Sequence, residues 1–293
     1  MHSRLQRTIA RPAEFHGFGF LTGADVALRF LPADEGTGIR FQRVDLPGTK
    51  PIPATLAHVV PRQRRTAISN GAATVELIEH VMAALAGLQI DNCRVELNGP
   101  ELPGGDGSSQ MFADCLLEAG LQTLDERREV CTVPVTLDLQ LAEPGLAISV
   151  QPNSQPGLRI SYELDYGTES CIPAQSLTVD VTSAIFLNEI VFARTFILEA
   201  EARAFQAQGM GQRLTFQDLL VYGPQGVIDN ELRAPNECVR HKILDCIGDF
   251  ALLGCDLSAH VICRRTGHRQ NAELVRAIRH QQCGEAQGFR DAA

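Results

Sequence analysis

Apolar residues recur at every second position in "ADVALRFLPA" (24–33) and "GIRFQRVDL" (38–46), with Pro and Gly between the two stretches. That is the period of strands buried on one face, so a sheet is expected first. The spacing then lengthens in "TVELIEHVMAALAGL" (74–88), where Val75, Ile78, Met82 and Leu85 fall on one side of a helix and Gly87 supplies a stop signal. "NCRVELNG" returns to strand, "GGDGSS" reads as a loop with helix N-cap chemistry, and "QMFADCLLEAGL" reads as a second helix.

The succession starts again near residue 130. "PVTLDLQLA", "LAISVQP" and "LRISYELDY" alternate, "SAIFLNEIVFA" and "ECVRHKILDCIGDFALLG" have helical spacing, and the strand "AHVICRR" and helix "NAELVRAIRHQQ" complete the set. Element order repeats although residues do not. This predicts an α+β chain of two domains of similar topology, 1–127 and 128–293, divided at the charged stretch "DERREV" (125–130). With no long linker between them, the halves should share an interface.

Composition narrows the function classes. At 44% hydrophobic and 21% charged, the chain can bury a core and is not built like a disordered protein. A formal charge of -9 and the absence of Trp argue against a nucleic-acid surface, and the basic "RQRR" at 62–65 reads as a solvated loop. The cysteines, from Cys93 to Cys283, form no CxxC pair and suit buried thiols in a reducing compartment. No signal-peptide core and no apolar run of transmembrane length is present, so a cytoplasmic protein is expected.

Candidate chemistry concentrates in "VRHKILDCIGDF" (239–250). His241 and Asp245, four residues apart on one helix, share a face and make a two-ligand metal platform, or else a plain surface ion pair. A catalytic site needs a third ligand, and "IEH" (78–80) offers His80 with Glu79 before it: a ligand and a general base, or a core histidine beside a solvated glutamate. His268 in "RRTGHRQN" follows a strand and a glycine, where it suits a general acid or an idle loop residue. Asp249, one turn past Asp245, can orient such a histidine or sit on the surface. Thr195 in "FARTF" (192–196) has a hydroxyl able to donate to an oxyanion, and Lys242 can face an anionic substrate group or solvent.

These segments resemble one family, the zinc-dependent UDP-3-O-acyl-N-acetylglucosamine deacetylases of lipid A biosynthesis. "RTIARPAEFHGFGFLTG", "TGIRFQRVDL", "IEHVMAALAGLQIDNCRVELNGPELPGGDGSS", "FARTF", "VRHKILDCIGD" and "TGHRQNAELVRAI" fall in the family's order at close to its spacing, across nearly the whole chain. The resemblance implies two α+β domains with helices packed between two sheets and Zn2+ at their junction. It implies His80, His241 and Asp245 as metal ligands, Glu79 as general base, His268 as general acid and Asp249 as its partner. Thr195 would polarise the acetyl carbonyl, while Lys242 and Phe196 would contact a UDP-sugar carrying an acyl chain.

Four departures accompany it. The family's HTVEH or STVEH reads "ELIEH", with Glu76 leading; GVGLHSG reads "GFGFLTG", with Leu21 in place of a histidine; IPIMDGS reads "LPGGDGS", with Gly104 and Gly105 in place of two apolar residues; and "GMGQRLTFQD" (209–218) stands in the region resembling the acyl-chain passage. They touch substrate contacts more than the metal and acid–base set. They motivate a second reading, a zinc amidohydrolase on a different acylated or N-acetylated nucleotide sugar. A non-catalytic binding homologue is the third reading, opposed by retention of both the acid and the base. A mixed His and Asp set suits several divalent ions besides zinc.

Overall fold

The computed structural model describes residues 3–290, with side chains through residue 281, so Cys283 lies outside the described side chains. Its first half holds a five-stranded sheet in the order Ala13–Phe18, Asp25–Pro32, Cys93–Leu97, Ile39–Arg43, Ile52–Pro53. The second half repeats that path with Leu137–Asp138, Ala147–Gln151, Asp256–Arg264, Leu158–Leu164 and Gln175–Asp180. In each half the central strand is antiparallel to the second strand along the sheet and parallel to the fourth. Val95 lies between Phe30 and Phe41, and Val261 between Val150 and Ile160, all fully buried. Each such side chain contributes roughly 1.5–3 kcal/mol to burying the sheet face.

A helix precedes each central strand and another follows it: Glu79–Gly87 and Gln110–Glu118 in the first half, Glu237–Phe250 and His268–Arg290 in the second. Glu79–Gly87 and Glu237–Phe250 pack on each other and are buried along almost their whole length, as helices held between two sheets must be. Small residues allow the contact. A Cβ on Gly248 would lie 2.1 Å from the Glu79 carbonyl oxygen, and one on Gly87 would lie 2.3 Å from the Phe186 ring. Gly87 is therefore a packing residue as well as the last of its helix.

Each half also carries an insertion before its buried helix. In the first it is a small sheet of Val59–Val60, Ala67–Ser69 and Thr74–Glu76; in the second, Phe196–Leu198, Leu220–Gly223 and Gly226–Val227 with the helix Glu199–Ala207. These small strands are too short to alternate visibly and were not expected from the periodicity.

Several boundaries differ from the sequence reading. The helix expected from Thr74 begins at Glu79, because Thr74–Glu76 pairs as a strand and Leu77 takes a left-handed φ of 61° that interrupts helical continuity. "SAIFLNEIVFA" forms one short α-turn and then a π-helical stretch, Phe186–Ile190. "DERREV" is mostly strand: Leu121–Arg127 pairs with Leu5–Ile9, and Val130–Thr132 runs parallel to the last strand. Ser109 precedes the second helix but caps nothing with its side chain; its hydroxyl donates to the His80 carbonyl at 2.8 Å. Cys93, Cys131, Cys238, Cys246, Cys255 and Cys263 are buried. Among the described residues no helix is long and apolar enough to cross a membrane.

Candidate active site

The two buried helices bring the expected residues together. Glu79 and His80 open one helix, while His241, Asp245 and Asp249 descend one face of the other at four-residue spacing. His268 is not on a loop, as its flanking glycine suggested; it begins the last helix, directly after the turn that leaves the final strand.

His80, His241 and Asp245 form a cluster in which one ligand atom from each lies within 4.8 Å of the others. Asp245 Oδ1 stands 3.7 Å from His80 Nε2 and 3.5 Å from His241 Nε2, too far for hydrogen bonds, and the two imidazoles meet edge to face at 5.1 Å. That oxygen is buried without a hydrogen-bond partner. A buried carboxylate oxygen left unsatisfied is costly, and a cation between the three side chains would satisfy it. The imidazoles suit the same purpose. Burial, and after it the nearby His241, push His80 down to about 3, while burial lowers His241, so both are neutral. His241 Nδ1 lies 3.1 Å from the Ala193 carbonyl, an arrangement that places the proton on Nδ1 and the lone pair on Nε2. Burial works against ionisation of Asp245, but Lys242 and the histidines hold its carboxyl below the ordinary range. Lys242 Nζ donates to Asp245 Oδ2 at 2.7 Å. The residues present fit a divalent metal with two nitrogen ligands and one oxygen ligand.

Next to this cluster Glu79 faces His268. Glu79 Oε1 is 3.8 Å from His268 Nε2. Burial pushes Glu79 up to about 7, against the pull of His268, while its other oxygen accepts from the Thr66 backbone N–H at 3.0 Å. Burial also opposes a charge on His268, but Asp249, Glu79 and Asp245 together outweigh it and raise the imidazole to about 9. His268 Nδ1 donates to Asp249 Oδ2 at 2.8 Å. Asp249 is held in turn by the Thr66 hydroxyl at 2.5 Å and the Asn271 amide at 2.8 Å. Both groups are raised, the carboxyl to about 7 and the imidazole to about 9, which leaves a pH range in which Glu79 is ionised while His268 still carries its proton, as a base and an acid sharing one substrate need.

Both groups open into a cavity of about 1230 Å³. Its polar end holds Glu79, His80, His241, Asp245 and His268, and its walls include Tyr162, Leu198, Phe205, Leu214 and Phe216. Phe196 lines it with its ring against His241, 6.0 Å between centroids. Thr195 lines it too, but its hydroxyl lies 3.1 Å from the Gly107 carbonyl and donates there. "RQRR" is exposed at 62–64 and half-buried at Arg65, and it is not simply solvated. Arg62 and Arg65 grip Glu76 at 2.7 and 2.6 Å, and Arg64 reaches across to Glu201 in the second half, with its guanidinium over the Phe205 ring.

The sequence reading did not single out Thr66, Asn271, Glu101 or the buried pair Arg194–Glu237. Asn271 carried a signal, since it lies one turn after His268 on the same helix. Thr66 carried none, because it reaches Asp249 only through long-range packing. Glu101 accepts from Leu21 N–H, Thr22 N–H and the Thr22 hydroxyl at 2.7, 2.9 and 2.7 Å, anchoring the loop that bears Phe20 and Leu21.

The family model for UDP-3-O-acyl N-acetylglycosamine deacetylase (LpxC) matches residues 6–280. The UDP-3-O-acyl-N-acetylglucosamine deacetylase of Chlamydia felis (strain Fe/C-56) is 37% identical over 285 residues, covering 95% of this chain and 98% of the relative. The protein of the same name from Bdellovibrio bacteriovorus is 34% identical, covering 94% and 89%. The bifunctional enzyme LpxC/FabZ of Chlorobaculum tepidum is 35% identical over 94% of this chain, which spans 64% of that relative's length. With a match along nearly its whole length and relatives similar from end to end, this chain belongs to the UDP-3-O-acyl N-acetylglycosamine deacetylase family.

Proposed function

We propose that this chain hydrolyses the N-acetyl group of a UDP-3-O-(3-hydroxyacyl)-N-acetylglucosamine, releasing acetate and the free amine, as the deacetylase step of lipid A biosynthesis. The observation that carries this reading is the Glu79–His268 pair at 3.8 Å, set beside the His80–His241–Asp245 cluster in a cavity with an apolar wall. Family membership supports the reaction class and the acylated nucleotide sugar.

His80, His241 and Asp245 would hold Zn2+, which when bound supplies the charge that polarises the acetyl carbonyl and acidifies a water. Glu79 takes a proton from the attacking water. His268, kept protonated by Asp249, gives a proton to the departing glucosamine nitrogen, so the C–N bond breaks to an amine rather than an amide anion. Asp249, bonded to Thr66 and Asn271, holds the imidazole with Nε2 toward the site. Thr195 turns its hydroxyl from the Gly107 carbonyl to the acetyl oxygen, and Lys242 and Phe196 position the sugar beside the cluster. The division at residues 127 and 128 belongs to this reading: Glu79 and His80 come from one domain, and His241, Asp245 and His268 from the other. It is supported by the repeated strand order of the two sheets.

Metal content and acetate release, measured before and after chelation and zinc restoration, test the proposal. About one zinc per chain, with activity lost and regained, is the expected result. Bound zinc without acetate release would move the assignment to another acylated or N-acetylated nucleotide sugar, the reading favoured by the altered cavity segments. Absence of zinc would overturn the metal assignment.

A further inference from the structure

Three of the segments that depart from the family pattern meet on one wall of the cavity. Phe20 and Leu21 from "GFGFLTG", Pro103 and Gly104 from "LPGGDGS", and Met210, Gly211 and Leu214 from "GMGQRLTFQD" all line it. They are also tied to one another. Gly104 N–H donates to the Phe18 carbonyl at 3.0 Å, and Gly211 N–H to the Leu21 carbonyl at 3.1 Å. Arg213 donates to the Gly23 carbonyl at 2.7 Å and lies 4.4 Å above the Phe18 ring. The wall is therefore one unit built from distant parts of the chain.

At its centre the Phe20 ring excludes a side chain at position 104. A Cβ on Gly104 would lie 1.8 Å from Phe20 Cδ1, 1.9 Å from Cε1 and 2.5 Å from Cγ. The Phe20 ring fills the volume that a side chain at 104 would occupy, and it is 7% exposed. Its backbone is not free to retreat, because Glu101 clamps the following two residues and would stand 2.4 Å from a Cβ at Gly19. The apolar bulk of this wall thus arrives from the first loop instead of from position 104.

We infer that Phe20 and Gly104 are a matched pair that sets the acyl-chain selectivity of the cavity, a conclusion that rests on the acyl-sugar reading above. An acyl chain is recognised only by shape and apolar area, so a ring whose position depends on a glycine beneath it decides which length fits.

The test is calorimetric binding of saturated 3-hydroxy fatty acids of increasing length to the purified full chain and its Phe20→Leu, Gly104→Ala and double variants. Gly104→Ala should drive the ring into the cavity, weaken the preferred chain about tenfold and move the optimum to shorter acids. Phe20→Leu should move the optimum to longer acids, and the double variant should return to within about threefold of the parent, since contacting residues couple. The same optimum in every variant, or independent effects that simply multiply in the double variant, would overturn the pair. Should Gly104→Ala melt at the assay temperature, Phe20→Leu decides alone: an unmoved optimum refutes the inference. Acetate release by the parent chain is measured alongside. Its absence with a responsive binding profile refutes the deacetylase reading and supports the pair, whereas its presence with an unresponsive profile refutes the pair alone.

Discussion

Gly248 rests directly on the backbone of Glu79, so closely that a Cβ would lie 2.1 Å from the Glu79 carbonyl oxygen and 3.2 Å from Ala83 N. The general-base candidate and the helix bearing His241 and Asp245 are thus set at a distance that a single methyl group would change. Gly248→Ala should separate the helices, destabilise the fold by about 1–3 kcal/mol and weaken metal binding, because His80 and Asp245 move apart. Thermal melts and zinc competition with a chromogenic chelator check it; unaltered zinc affinity would mean that the helix contact does not set the cluster.

Glu79→Gln keeps the side-chain length and can still accept from the Thr66 N–H, but it cannot take a proton. Metal content should be unchanged, and acetate release should fall about 10²–10⁴-fold. Turnover near that of the parent would remove Glu79 from the base role.

The pH profile follows from the same two groups. Burial raises Glu79 to about 7, and in the proposed base role it acts only when deprotonated, so activity should rise as pH increases through that region; Asp249, Glu79 and Asp245 raise His268 to about 9, and in the proposed acid role it acts only when protonated, so activity should fall above it. A bound cation favours the Glu79 carboxylate, which moves the rising limb below 7 in the metal-loaded protein. A bell-shaped rate profile is expected, and a flat one between these limbs and beyond would sink the acid–base assignment.

Asp249→Asn removes the leading charge that raises His268 while leaving an oxygen to accept from Nδ1. The falling limb of the profile should move to lower pH, and an NMR titration of the His268 imidazole should follow it. A purely structural role for Asp249 would lower stability and leave both pH values in place.

Arg194 and Glu237 lie outside the proposed acid–base set but hold the "FARTF" segment to the start of the helix that bears His241 and Asp245. Arg194 Nε reaches Glu237 Oε1 at 2.8 Å, with the two side chains 5% and 0% exposed. Arg194→Ala would strand a buried carboxylate and cost about 3–5 kcal/mol, read by urea unfolding. Arg194→Met with Glu237→Leu should recover part of that loss, because neither charge is then left unpaired.

By itself the sequence determined the repeated succession of sheet and buried helix in the two halves, the alternation of several main-sheet strands and the helical spacing that aligns His241, Asp245 and Asp249. Those are local properties: period 2 or 3.6 in apolar positions follows from backbone geometry within a few residues. The "IEH", "HKILDCIGD" and "TGHRQN" segments also marked which residues could carry chemistry. Tertiary structure decided the rest. The strand order of each sheet, the small inserted sheets, the Thr66–Asp249–His268 chain and the Phe20–Gly104 contact all join residues far apart in sequence, and no periodicity encodes which distant segments meet. The electrostatics belong there too. Glu79 is an ordinary glutamate in the sequence; only its burial between two helices, beside a histidine held by Asp249, moves its proton affinity to the range where it can act as a base.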